Sequence, residues 1–212
     1  MTNKVYIKTF LMILFIPLLM GNENCQMGDM VENILDQVIL KTHNENNPIY
    51  ISHLTMIDGK NNFSFFNTES AQLINSAVLK GIHLAQKKYK FIKHNVPGHT
   101  LRNTEENTIK LKKISMDRAL TKHQKMDRII NELMKPAKID IIVTGIYFDN
   151  QKTIEVRPFI VNRKHRKIVT KQTIFDKERF LCPDPNNPGK KNLCQDAIDE
   201  IAVIVKELLS NI

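Results

Sequence analysis

The side chains able to carry nucleophilic, redox or metal chemistry are Cys25, Cys182 and Cys194, with His43, His53, His83, His94, His99, His123 and His165. The histidines are scattered, and no pair stands at HExxH spacing or at a cysteine–histidine spacing that suits zinc. His94 and His99 flank Pro97 and Gly98, which makes solvated loop residues the plainer reading. His53 and His83 lie among apolar neighbours and read as partly buried structural histidines rather than bases. Glycine numbers only seven, and neither GxGxxG nor a GxxxxGKS/T phosphate cradle occurs. GxSxG and kinase signatures are missing as well. The sequence therefore predicts no catalytic residue, no cofactor and no metal. An unrecognised hydrolase stays as an alternative, because a triad is defined by geometry rather than chain order.

Cys182 and Cys194 enclose eleven residues, PDPNNPGKKNL, a composition that predicts a loop. Closing that loop through a disulfide would stabilise the fold by about 2–3 kcal/mol in an oxidising compartment; the alternative is two unrelated thiols. The amino terminus agrees with export. Lys4 and Lys8 precede an uncharged run from Phe10 to Met20, too short to span a bilayer core of about 30 Å. Residues 1–21 are read as a signal peptide, with an uncleaved anchor as the alternative. Cys25 is then a candidate for lipidation, although Asn22-Glu23-Asn24 is a poor lipobox.

These residues must be positioned by elements that apolar spacing announces. The 212 residues suit one ordinary domain with an appendage. Residues 22–47 are assigned to a helix (29–42) and linker, and 48–212 to an α/β domain. Within it, Ile49 to Ile57 reads as a strand with a parity slip near His53, ending at the turn Asp58-Gly59. A helix opens at Asn67 or Thr68 with one stripe of Ile74, Ala77, Val78, Gly81, Ile82 and Ala85. Tyr89 to Lys93 reads as a short strand. The polar stretch 95–115 reads as an excursion, and helix resumes near Ser115 with Met116, Leu120, Met126 and Ile129 inward. Ile139 to Phe148 reads as a central strand, apolar on both faces. Two further strands, Thr153 to Val161 and Ile168 to Phe175, surround a basic hairpin tip. Pro158 predicts an edge position or a bulge for the first. Gln195 to Leu209 is an amphipathic helix. The expected fold is a single mixed sheet with packed helices, in the order α-β-α-β-α-β-β-β-α after the signal segment.

The formal net charge is +9, and residues 80–135 hold all of this excess, fourteen Lys and Arg against five Asp and Glu. One reading is contact with a polyanion, whether phospholipid headgroups, lipopolysaccharide or nucleic acid; the other is a set of solvated faces. Nucleic acid conflicts with export. A second basic site, Arg163-Lys164-His165-Arg166-Lys167, sits at the hairpin tip, and no acid occurs between Glu155 and Asp176. Arg157, Arg163, Lys164, Arg166, Lys167 and Lys171 form a candidate contact surface, or else an edge that deters aggregation.

From Leu133 to Phe175 the chain resembles a group of bacterial envelope proteins: the TolB amino-terminal domain, the flagellar FlgO proteins and the curli-secretion CsgG proteins. Their shared pattern is a helix end, an aspartate before an apolar strand closing in Thr-Gly, and two strands around a short turn. Asp140, Val143, Thr144 and Gly145 occupy that signature here, followed by Ile154, Val156 and Ile160, then Ile168 and Val169. The resemblance implies a non-catalytic periplasmic domain that binds other envelope proteins. Pro158, the basic hairpin and the cysteine loop depart from the pattern.

Overall fold

A computed structural model describes residues 47–59 and 69–212. The signal segment, Cys25, the 29–42 helix, His43, and the helix-opening Asn67 or Thr68 lie outside the described residues.

The first strand breaks where its parity slips. β1 (Ile49–His53) is followed, after three irregular residues, by β2 (Ile57–Asp58). Helix α1 (Glu69–Lys88) buries the whole predicted stripe, and lysines occupy its last turn, where they favour the negative end of the helix dipole. β3 is Ile92–His94. Tyr89-Lys90-Phe91, expected in that strand, instead makes a turn closed by the Ile92 N–H on the Tyr89 carbonyl at 3.0 Å. Tyr89 and Phe91 are both buried.

The largest correction concerns the polar excursion. Most of it is a helix, α2 (Thr104–Met116). Only Thr108, Leu111 and Ile114 are buried there, a minimal i, i+3, i+6 stripe that the surrounding lysines obscure. Glu105 and Glu106 in its first turn and Lys113 in its last complement the helix dipole. The helix expected to resume near Ser115 instead breaks at Asp117. It restarts as α3 (Lys122–Ile129) behind a capping box between Thr121 and Gln124, and ends in a π-turn, π1 (Ile130–Met134). Met116, expected inward, is exposed.

The remaining elements are β4 (Ile141–Asp149), β5 (Thr153–Asn162), β6 (Lys167–Thr170), β7 (Thr173–Asp176), the short α4 (Lys177–Phe180), β8 (Leu181–Asp184), β9 (Asn187–Leu193) and α5 (Gln195–Ser210). The main sheet runs β3-β1-β4-β5-β6, with β2 added beside β4 and β7 beside β5. β3, β1 and β4 are parallel, and β4 onward is antiparallel, so the sheet is mixed as expected. The segment expected as a continuous Cys182–Cys194 loop is the two-stranded β8–β9 hairpin.

Parallel neighbours require crossover connections. α1 joins β1 to β3 on one side, and α2, α3 and π1 lead to β4 on the other. The second set packs Leu111, Ile114, Met126, Ile129 and Leu133 against the register partners Ile142 and Val161. On the opposite face α5 crosses α1 closely: a Cβ on Gly81 would lie 2.6 Å from the Ala202 carbonyl oxygen.

Pro158 is neither at an edge nor on a bulged strand, because β5 pairs with β4 along its length. The interruption is in its other neighbour, where Lys171 and Gln172 separate β6 from β7. In an antiparallel strand the N–H and C=O of one residue point the same way. The Pro158 carbonyl accepts from the Lys171 N–H at 3.3 Å. The missing proline N–H therefore points at the broken neighbour rather than at β4.

Candidate functional site

The basic hairpin tip is built from the end of β5. Buried Asn162 turns the chain by accepting the His165 N–H on its Oδ1 at 3.0 Å, and Arg166 takes a left-handed backbone at φ 49°. Asp140, just ahead of β4, anchors this tip. Its main-chain carbonyl accepts the Arg163 N–H at 2.8 Å and its carboxylate accepts the Arg163 guanidinium. The other carboxylate oxygen accepts the Tyr50 N–H at 3.0 Å, while Asp140 donates its own N–H to the Tyr50 carbonyl at 2.7 Å. The Tyr50 ring stacks on His99 with centroids 3.6 Å apart, and His99 Nδ1 meets the Lys138 carbonyl. One aspartate thus ties β1, β4 and the tip together.

Thr144 donates its hydroxyl to the Thr55 carbonyl at 3.1 Å, across the irregular residues between β1 and β2. At Gly145 a Cβ would stand 2.5 Å from the Arg157 carbonyl oxygen and 2.5 Å from Met56 Sδ. The signature residues hold the sheet together.

Most of the six candidate contact cations already hold acids. Arg157 pairs with Glu155 and lies 5.0 Å over the Phe148 ring, Arg163 pairs with Asp140, Arg166 with Asp127, and Lys171 with Glu207. The Arg166 guanidinium holds the Asp127 carboxyl below the usual carboxylate range. Among the described residues only Lys164 and Lys167 of the six lack an acidic partner. Beside them a cleft of about 200 Å³ opens between Pro48, Asp140, Asn162, Lys164 and Ile212.

The basic segment 80–135 is dispersed over α1, β3, α2 and α3. Lys80 pairs with Asp199 on α5, Lys110 with Glu132, and Arg128 with both Asp117 and Glu132. These three hold acids, and the fourteen cations are spread over several elements.

His83 is exposed on α1, contrary to expectation. His53 and His94 are the enclosed pair, ending the parallel neighbours β1 and β3, and the Nε2 of each is shut from solvent without a hydrogen-bond partner. Burial first, then the proximity of His94, lowers the His53 pKa to about 4, and burial lowers that of His94. Both imidazoles are neutral at pH 7. Among the described residues no group of three His, Cys, Asp or Glu side chains could hold a metal ion.

Cys182 and Cys194 are joined, with Cα atoms 5.0 Å apart, across the base of the β8–β9 hairpin. Among the described residues no helix is long and apolar enough to cross a membrane.

The feature that sequence reading missed is the outer edge of the sheet. Ile168 is 45% and Ile174 58% exposed, and no described strand pairs with β6 or β7 on the side away from β5. Lys171 and Gln172, two polar residues in a row within an otherwise apolar strand pattern, were the available signal. No protein-family model matches the chain, and no curated protein matches it.

Proposed function

We propose that this chain is an exported, non-catalytic domain that makes protein–protein assembly contacts in a bacterial cell envelope. The observation that carries the reading is the outer edge formed by β6 and β7, where Ile168 and Ile174 are exposed and Lys164 and Lys167 stand at the Ile168 end. An apolar edge in a folded domain is a liability unless something uses or guards it. The disulfide supports an oxidising compartment, and the resemblance between residues 133 and 175 supports the envelope. Dispersal of the 80–135 cations over several elements, with Lys80, Lys110 and Arg128 holding acids, weighs against the polyanion alternative.

The test is cell fractionation combined with a photoreactive residue at position 174. A periplasmic or membrane fraction and a discrete crosslinked protein, missing when the photoreactive residue replaces exposed Met116, are expected. A cytosolic protein with free thiols at positions 182 and 194 would overturn the reading.

A further inference from the structure

The geometry of the outer edge points to its mode of use: we infer that β6 and β7 accept an extended partner segment as an added antiparallel strand, one that alternates apolar and acidic residues. This inference rests on the assembly reading and specifies its surface and partner chemistry.

The backbone direction comes first. The Lys171 N–H donates to the Pro158 carbonyl, so Lys171 and Pro158 form a hydrogen-bonded pair. Hydrogen-bonded and non-hydrogen-bonded pairs alternate along an antiparallel ladder. Thr170 opposite Phe159 and Ile168 opposite Val161 are therefore non-bonded pairs, and their N–H and C=O groups point outward. On the other side of the break, Pro158 directs its carbonyl toward β6, so Val156 and Ile154 bond to β7 and Glu155 does not. Ile174, opposite Glu155, also presents its N–H and C=O outward. Ile168, Thr170 and Ile174 form one open row of donors and acceptors across both strands.

Side chains define the partner. Ile168 shares the face of its register partner Val161, and Ile174 that of Glu155, so both isoleucines lie on one face of the sheet. Lys167 and Lys171 lie on the other. Lys171 holds Glu207 on α5, while Lys167 and neighbouring Lys164 hold no acid among the described residues. An added strand would match the first face with apolar residues and the second with carboxylates. A second copy of this chain is disfavoured in the two-fold register centred on Lys171, which sets lysine opposite lysine. Strand addition takes affinity from main-chain bonds and specificity from alternate side chains.

The probe is a short end-blocked peptide alternating valine and glutamate, with a valine–lysine peptide as control. Amide exchange is followed by NMR in the whole folded protein. Binding of the valine–glutamate peptide is expected to slow exchange at Ile168, Thr170 and Ile174 by about tenfold or more. Ile174→Pro removes an outward donor that the fold does not use, and is expected to weaken binding about tenfold. The Lys164→Glu/Lys167→Glu variant keeps every backbone group and is expected to exchange the preference toward the valine–lysine peptide. Absence of protection overturns the inference. So does protection that appears without peptide as the protein is concentrated, which would assign the edge to a second copy. Binding of anionic vesicles through these lysines with the three amides unprotected overturns it too. Fractionation and crosslinking judge the assembly reading separately, so either can fail alone.

Discussion

Arg163 and Asp140 are joined twice: main chain to main chain at 2.8 Å and guanidinium to carboxylate, across 23 positions of sequence. The same carboxylate also receives the Tyr50 N–H. Removing it leaves a half-buried amide and a guanidinium without their acceptor. Asp140→Ala is expected to cost about 1–3 kcal/mol, read as a lower urea midpoint. Asp140→Asn, which keeps an acceptor oxygen, should cost less.

Close approach at two glycines makes a second prediction. Gly81→Ala would ordinarily strengthen a helix by about 1 kcal/mol. Here the new methyl meets the Ala202 carbonyl oxygen at 2.6 Å and Val205 Cβ at 2.7 Å. Gly145→Ala meets the Arg157 carbonyl oxygen. Backbone cannot step aside as a flexible side chain can. Both variants are expected to lose about 1–3 kcal/mol by overpacking, and thermal melts check each.

Acid should weaken the fold through His53. Its pKa is about 4 in the folded chain against an ordinary value of 6.5. Between these values the unfolded chain binds more protons, so stability falls as pH drops from 6.5 and levels off for this group near 4. The lost stability is about 3 kcal/mol, since one pH unit corresponds to about 1.4 kcal/mol. Urea melts from pH 7 to pH 4 should show that decline, and His53→Gln should reduce it, leaving the part that His94 contributes. An unchanged slope in the variant would refute the assignment.

Reduction should act on the β8–β9 hairpin and the start of α5. Cys194 is the residue that caps α5, and its N–H donates to the Phe180 carbonyl at 2.9 Å. Cys182→Ser is expected to cost about 3 kcal/mol on the loop-entropy model. Comparison of its urea melt with that of the reduced parent, which should match, isolates the bond from the side chain.

Legibility divides by range. The α1 stripe, the apolar β4 and the α5 face were visible because each buries residues at a fixed local period. The Thr104–Met116 helix was not, since three buried positions among lysines fall below what periodicity resolves. The split of β6 from β7 also escaped notice, because the polar pair Lys171-Gln172 marks a break only once β5 lies alongside.

The sequence by itself determined the α/β character, the placement of Gly81 and Gly145 on apolar elements, and two cysteines close enough in the chain to join. Tertiary structure decided the electrostatics and the open edge. No acid lies between Glu155 and Asp176, yet Asp140, Asp127 and Glu207 neutralise Arg163, Arg166 and Lys171. Opposite charges pair according to which elements stand side by side, and that depends on crossovers many residues long. Edge status is likewise a property of neighbours: β5 has a strand on each side and β6 and β7 have only one among the described residues, and Ile168 and Ile174 are exposed on the face away from α5 whereas Phe175 on the other face is buried.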